Sequence, residues 1–353
     1  MNHGDTAPAP AAAMADIFME ISNSKTASMA VGVVPAASAA TVQSDAAKFI
    51  FFCWDEGEGH KSPQAWRPRE VEIGEPKEGE IRIKNKSIGV NYVDIYYRTG
   101  LHHEHLPFVP GKEAVGVVSA VGPGVTGIKV GDVVGYADTQ MGTYTEEQII
   151  PAILAIPIPP SVDHITAASV LLKGMTAYVL VRQAFKWANA LGATVIGTVS
   201  TQEKAAQATE DGCHHVIIYT KEDFVTRVAE ITSGKGVHVV YDAVGKDTFK
   251  GSLECLMQRG CMISYGQSSG RPEPVPLSDL APKSLFLGRP GMRHYTTTRD
   301  ELLHAAGEVF AGIMAGVLHV RVNHVYPLHE AARAHAVLEA RRTSGSVVLL
   351  PGS

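Results

Sequence analysis

Residues 179–197 read VLVRQAFKWANALGATVIG. From Met175 to Leu191 there is no Pro or Gly, so one continuous helix can form across the stretch. It runs into ATVIGTV (193–199), an apolar, β-branched run that predicts a buried strand. The pattern then repeats in HHVIIY (214–219), GVHVVYDAVG (236–245) and GCMISYG (260–266), with polar helical stretches between. Strands alternating with helices at this spacing make parallel βαβ units. A dinucleotide-binding unit of that kind opens on a strand and a glycine turn ahead of its first helix. Neither precedes this helix.

Upstream the signals are β. EIRIKNKSIGV (80–90) alternates at Ile81 and Ile83, and EAVGVVSAVG (113–122) and VGDVVGYA (130–137) are short β runs broken by glycine. The tail from about Val317 returns to strand, helix, strand. The expected architecture is α/β: a β-rich domain over 48–164 completed by 317–353, and a doubly wound domain over 165–316. One G-x-G-x-x-G does occur, at Gly122–Gly127, but IKVGDVV follows it. The phosphate motif needs a helix there, so this is a turn.

A net charge of −5 excludes the concentrated basic face that nucleic acid requires. No apolar run reaches the roughly 20 residues of a membrane helix, and Lys173 interrupts the nearest. Cys53, Cys213, Cys255 and Cys261 show no paired spacing and read as reduced thiols of a cytoplasmic protein. Residues 1–47, rich in Ala, Ser and Pro, read as a disordered extension. Asp5, Asp16 and Glu20 argue against a secretory signal, and the lack of arginine against an organelle presequence.

SIGVNYVDIYYRTG (87–100), LPFVPGKEAVGVVSAVGPGV (106–125), LLKGMTAYVLVR (171–182), WANALGATVIGTVS (187–200), VVYDAVGKDTF (239–249) and SYGQSSG (264–270) together resemble the zeta-crystallin-type quinone oxidoreductases. These belong to the zinc-free branch of the medium-chain dehydrogenases/reductases. The resemblance implies a GroES-like β domain, a Rossmann domain, NADPH as hydride donor, a quinone or similar conjugated carbonyl as acceptor, and a homodimer. It also implies a gap. Relatives carry a strand and a glycine-rich phosphate turn between Phe185 and Lys186, about 20 residues in all. Without that central strand, its two neighbours keep unpaired N–H and C=O groups.

Zinc-dependent members place a histidine in Gly-His-Glu. Here the motif is Gly111-Lys112-Glu113, and a protonated ammonium cannot ligate zinc. The run His102-His103-Glu104-His105 reads as a solvated loop tip. The resemblance places Asn91, Tyr96 and Thr176 at the nicotinamide and acceptor slot, with Arg98 close by; Asn91 also reads as a helix N-cap, with Asp94 three residues on. At His102 many relatives have an aromatic residue. ATVIGTV ends on Ser200 rather than the Asp or Glu of an NAD site. Ser200 and Lys204 suit a 2′-phosphate, with Tyr219 beside the adenine and Tyr265, Gly266 and Arg341 along the nicotinamide half. Ser200–Glu203 reads alternatively as a capping box, and Arg341 as an exposed helix-end cation. The missing turn leaves a second expectation open, a family member without catalysis in a structural or binding role.

Overall fold

The structure, a computed structural model, describes residues 49–54, 66–71, 73–105, 107–138, 141–180 and 194–352. The expected N-terminal extension lies outside them. So does most of the helix expected over Met175–Leu191.

The strands are β1 (Phe49–Trp54), β2 (Trp66–Val71), β3 (Glu80–Val90), β4 (Glu113–Val121), β5 (Val133–Ala137), β6 (Glu147–Pro151), β7 (Ile156–Pro157), β8 (Ile196–Val199), β9 (His215–Ile218), β10 (Val237–Asp242), β11 (Leu256–Ser264), β12 (Phe286–Gly288), β13 (Val322–Pro327) and β14 (Ser346–Leu350). The helices are α1 (Tyr92–Arg98), α2 (His164–Tyr178), α3 (Gln202–Glu210), α4 (Phe224–Ile231), α5 (Phe249–Glu254), α6 (Arg299–Met314) and α7 (Ala331–Glu339). The chain divides into two compact units. Of the described residues, one holds those within 49–175, 292–310 and 320–352, and the other those within 176–291 and 311–319.

The first unit is built on a seven-stranded sheet in the order β13-β14-β3-β4-β5-β7, with β6 also paired to β3. Only β13 and β14 run parallel; the other pairings are antiparallel. The alternation read in EIRIKNKSIGV is the reason: Ile81, Ile83 and Ile88 are wholly buried, in one core with Tyr136, Ile150 and Leu349. Gly122–Gly127 lies between β4 and β5, with Gly124 and Gly127 at positive φ. It is a turn. A Cβ on Gly122 would meet the Lys77 carbonyl oxygen at 1.9 Å.

The second unit carries the parallel strands, but not as one sheet. β8 pairs with β9, and β10-β11-β12 forms a separate three-stranded sheet. A doubly wound sheet of order 3-2-1-4-5-6 that has lost strand 1 divides at this point, into 3-2 and 4-5-6. Among the described residues, β8 and β10 each pair with one strand, where the complete fold gives each two. Strands of a covered parallel sheet are normally buried on both faces, yet Thr198 in β8 and His238 in β10 are exposed. Among the described residues no strand joins β8 to β10.

Candidate functional site

Ser200 and Tyr219 follow the carboxyl ends of β8 and β9, where doubly wound folds hold their ligands, and Lys204 lies in the first turn of α3. The two ends are tied: the Tyr219 amide donates to the Val199 carbonyl at 3.0 Å, and the Thr220 hydroxyl to the Ser200 carbonyl at 2.7 Å. The expected capping box is shifted by one residue. Thr201 has the extended dihedrals of an N-cap, and its hydroxyl accepts from the Lys204 amide at 3.3 Å. Ser200 still belongs to the strand end, so its side chain is not used in capping.

Lys204 is 8% exposed, and burial pushes its ammonium down to about 8. An anion beside it would offset that cost. Glu203 points to solvent. These residues fit the 2′-phosphate end of NADPH. For the pyrophosphate a phosphate turn needs backbone N–H groups at a helix start, and among the described residues Thr176–Tyr178 are instead the C-terminal end of α2.

At the ends of β10 and β11 the Tyr265 amide donates to the Asp242 carbonyl at 3.0 Å. A Cβ on Gly266 would lie 2.3 Å from the Ala243 oxygen, so only glycine lets the backbones approach. The Asp242 carboxylate accepts from the amides of Val244 (2.7 Å) and Gly245 (2.9 Å) and from the hydroxyls of Thr248 (2.7 Å) and Ser252 (2.8 Å). Four donors on one buried carboxylate fix the loop that shapes this end of the sheet. The sequence reading missed Asp242; its signal was the Asp followed by Gly, Thr and Ser at helix-start spacing. Thr176 sits half-buried on α2.

In the β unit, Asn91 is the N-cap of α1 and 5% exposed. Its amide donates to Asp94 Oδ2 at 2.8 Å, but its side chain turns to Glu113, Nδ2 to Oε2 at 2.8 Å. Glu113 is wholly buried; it accepts the Leu172 amide at 2.7 Å and faces the Lys173 ammonium at 3.9 Å. Burial raises the Glu113 pKa and lowers that of Lys173, against their mutual attraction. Asp94 also accepts the Tyr144 hydroxyl at 3.1 Å, and that oxygen lies 2.9 Å from His335 Nε2. Burial pushes the Asp94 carboxyl up to about 7.

Tyr96 is half-buried, its ring edge-on to His102 at 5.1 Å. His102 therefore supplies a ring where relatives have an aromatic side chain. Arg98 points elsewhere: 1% exposed, it is ion-paired with Glu339 of α7. Arg341 follows the same helix, exposed and at φ 60°. Among the described residues no three His, Cys, Asp or Glu side chains are grouped to hold a metal ion.

A family profile described as the alcohol dehydrogenase GroES-like domain matches residues 77–160, and one described as zinc-binding dehydrogenase matches 183–302. The chain is 43% identical to a 2-haloacrylate reductase of a Burkholderia species over 312 residues, 80% of this chain and 94% of that protein. It is also 43% identical to quinone oxidoreductase 1 of Escherichia coli K12 over 318 residues, 83% of this chain and 97% of the relative. Because 83% of 353 is about 293, some 25 of those 318 positions have no residue here, close to the missing segment's length. A crystal structure of the E. coli quinone oxidoreductase with NADPH superposes with a TM-score of 0.81 at 41% identity, covering 86% of this chain and all of that one. This chain belongs to the quinone oxidoreductase family of the medium-chain dehydrogenases/reductases, in the branch that works without zinc.

Proposed function

We propose that this protein is a zinc-independent reductase passing a hydride from NADPH to a quinone or similar conjugated carbonyl. One observation carries the reading. Ser200 and Tyr219 stand at the tied ends of β8 and β9, with the buried Lys204 in the first turn of α3 and no carboxylate at the position that selects NAD. The relatives support it, since those named for quinones and the one named for a haloacrylate share a conjugated acceptor, and each bears an enzyme's name. None of them favours the non-catalytic alternative.

When bound, NADPH supplies the hydride; the protein's task is orientation. In this reading Ser200, Lys204 and Tyr219 hold the adenosine 2′-phosphate end, while Thr176, Tyr265 and Arg341 serve the nicotinamide half. Asn91 and Tyr96 line the acceptor slot, and Arg98 anchors α1 beneath them through Glu339. The domain limits of 48–164 with 317–353, and 165–316, belong to the same proposal. So do a cytoplasmic location and the absence of nucleic-acid and membrane partners; among the described residues no helix is long and apolar enough to cross a membrane.

Lys204→Glu replaces the phosphate-facing cation by an anion. In the protein carrying the restored strand and turn, fluorescence titration should then show NADPH affinity falling at least about tenfold more than NADH affinity, as expected for loss of a charge-assisted contact. Equal losses for the two cofactors would sink the assignment. A homodimer is proposed as well. Among the described residues β12 pairs with β11 alone, and it exposes Phe286 (63%) and Leu287 (38%). Leu285, just before β12, packs against the core of β10 and β11. An apolar edge strand calls for a partner. Light scattering that finds only monomer at micromolar concentration would refute it.

A further inference from the structure

The β unit holds an open cavity of about 800 Å³, within the size range of small-molecule sites. Lys112 lines it, 4% exposed, with its ammonium 5.3 Å above the Tyr97 ring. The backbone allows it little freedom. Gly111 has φ 101°, and a Cβ there would meet Thr143 Oγ1 at 2.1 Å. The Asp138 amide holds the Lys112 carbonyl at 2.8 Å. Phe108 and Met141 supply apolar wall, and Arg293 stands at the cavity with its guanidinium on the Asp138 carbonyl (3.0 Å) and carboxylate (3.7 Å).

We propose that this cavity binds a planar conjugated ligand through an oxyanion, and that the Lys112 ammonium is the group that receives it. An ammonium offers three N–H donors and no acceptor. In a partly dry site its bond to a charged oxygen is about twice as strong as a neutral one. Tyr97, Phe108 and Met141 provide the flat apolar surface for the ring.

Lys112 lies over the Tyr97 ring and feels the charges of Asp94 on α1, Glu104 of the loop after it, Asp138 beyond β5, and Arg293. Burial lowers its pKa and Arg293 acts in the same sense, while the three carboxylates oppose. An incoming oxyanion adds to the side that keeps Lys112 charged.

The inference rests on the reductase reading for its physiological ligand. One hydride from NADPH turns a quinone into its hydroquinone monoanion and leaves NADP⁺, and a proton from water completes the hydroquinone. The negative oxygen of that monoanion is what Lys112 would stabilise.

The test needs neither NADPH nor turnover, so its failure is distinct from failure of the reductase reading. The full chain is titrated with 4-nitrophenol, whose visible absorption separates phenol from phenolate. Bound probe should favour phenolate by about tenfold over free probe, one unit of its apparent pKa. Lys112→Met should abolish that preference and Lys112→Arg should keep it, with circular dichroism confirming that both variants fold. No binding, binding without preference for the phenolate, or a Lys112→Met variant that retains the preference would each overturn the proposal.

Discussion

Glu113→Ala should destabilise the protein by about 3–5 kcal/mol, the range for removing one partner of a buried ion pair. Three groups lose their acceptor at once. The Lys173 ammonium keeps no counter-charge at the 3.9 Å position, the Leu172 amide loses its 2.7 Å bond, and Asn91 Nδ2 loses its 2.8 Å bond. Glu113 is wholly buried and Lys173 is 5% exposed, so water does not take over these bonds. The pair is costly even when intact, since burial outweighs attraction in both pKa directions. That is why deleting half of it is worse than never having built it. Glu113→Gln should lose less, because its amide oxygen can still accept one of the bonds. Urea unfolding of both variants beside the parent measures this, and a Glu113→Ala midpoint equivalent to less than about 1 kcal/mol of loss would show that the cluster relaxes freely.

The parallel strands were legible because apolar runs of fixed length mark them whatever their tertiary partners. The same property exposed the gap: a helix that runs into ATVIGTV with no strand before it cannot sit in a complete doubly wound sheet. The structure shows the consequence, two parallel pieces instead of one sheet. The Gly122 motif was legible as a turn from the β-branched residues after it. The buried network around Asn91 was not. Its partners lie 22 positions away at Glu113, and the Tyr144–His335 contact spans 191 positions. No local pattern encodes pairings of that range. Arg98 shows the same limit, since its position in the NYVDIYYR stretch says nothing of Glu339 on α7. The cap at Thr201 was missed by one residue, within the usual uncertainty of a helix boundary.

Restoring the missing strand and glycine turn between Phe185 and Lys186 should tighten NADPH binding by about 10²-fold or more. Two effects combine. The turn supplies backbone N–H groups at a helix N-terminus to face the pyrophosphate, which Ser200, Lys204 and Tyr219 are too far along the cofactor to replace. The strand gives β8 and β10 their second partner, so the two pieces of sheet become one and the cofactor's two halves acquire a fixed separation. Hydride transfer needs reacting atoms held about 3–3.5 Å apart, and a misplacement of about 1 Å can cost ~10²-fold in rate. Quinone-dependent NADPH oxidation should therefore rise with affinity. The deciding measurement is fluorescence titration of the purified 353-residue chain with NADPH, beside the version carrying the restored segment. Micromolar affinity in the restored protein and much weaker binding in the parent is the predicted result. Equal affinity in the two would contradict it, by showing that the pyrophosphate is held by residues other than those of the first strand and its turn.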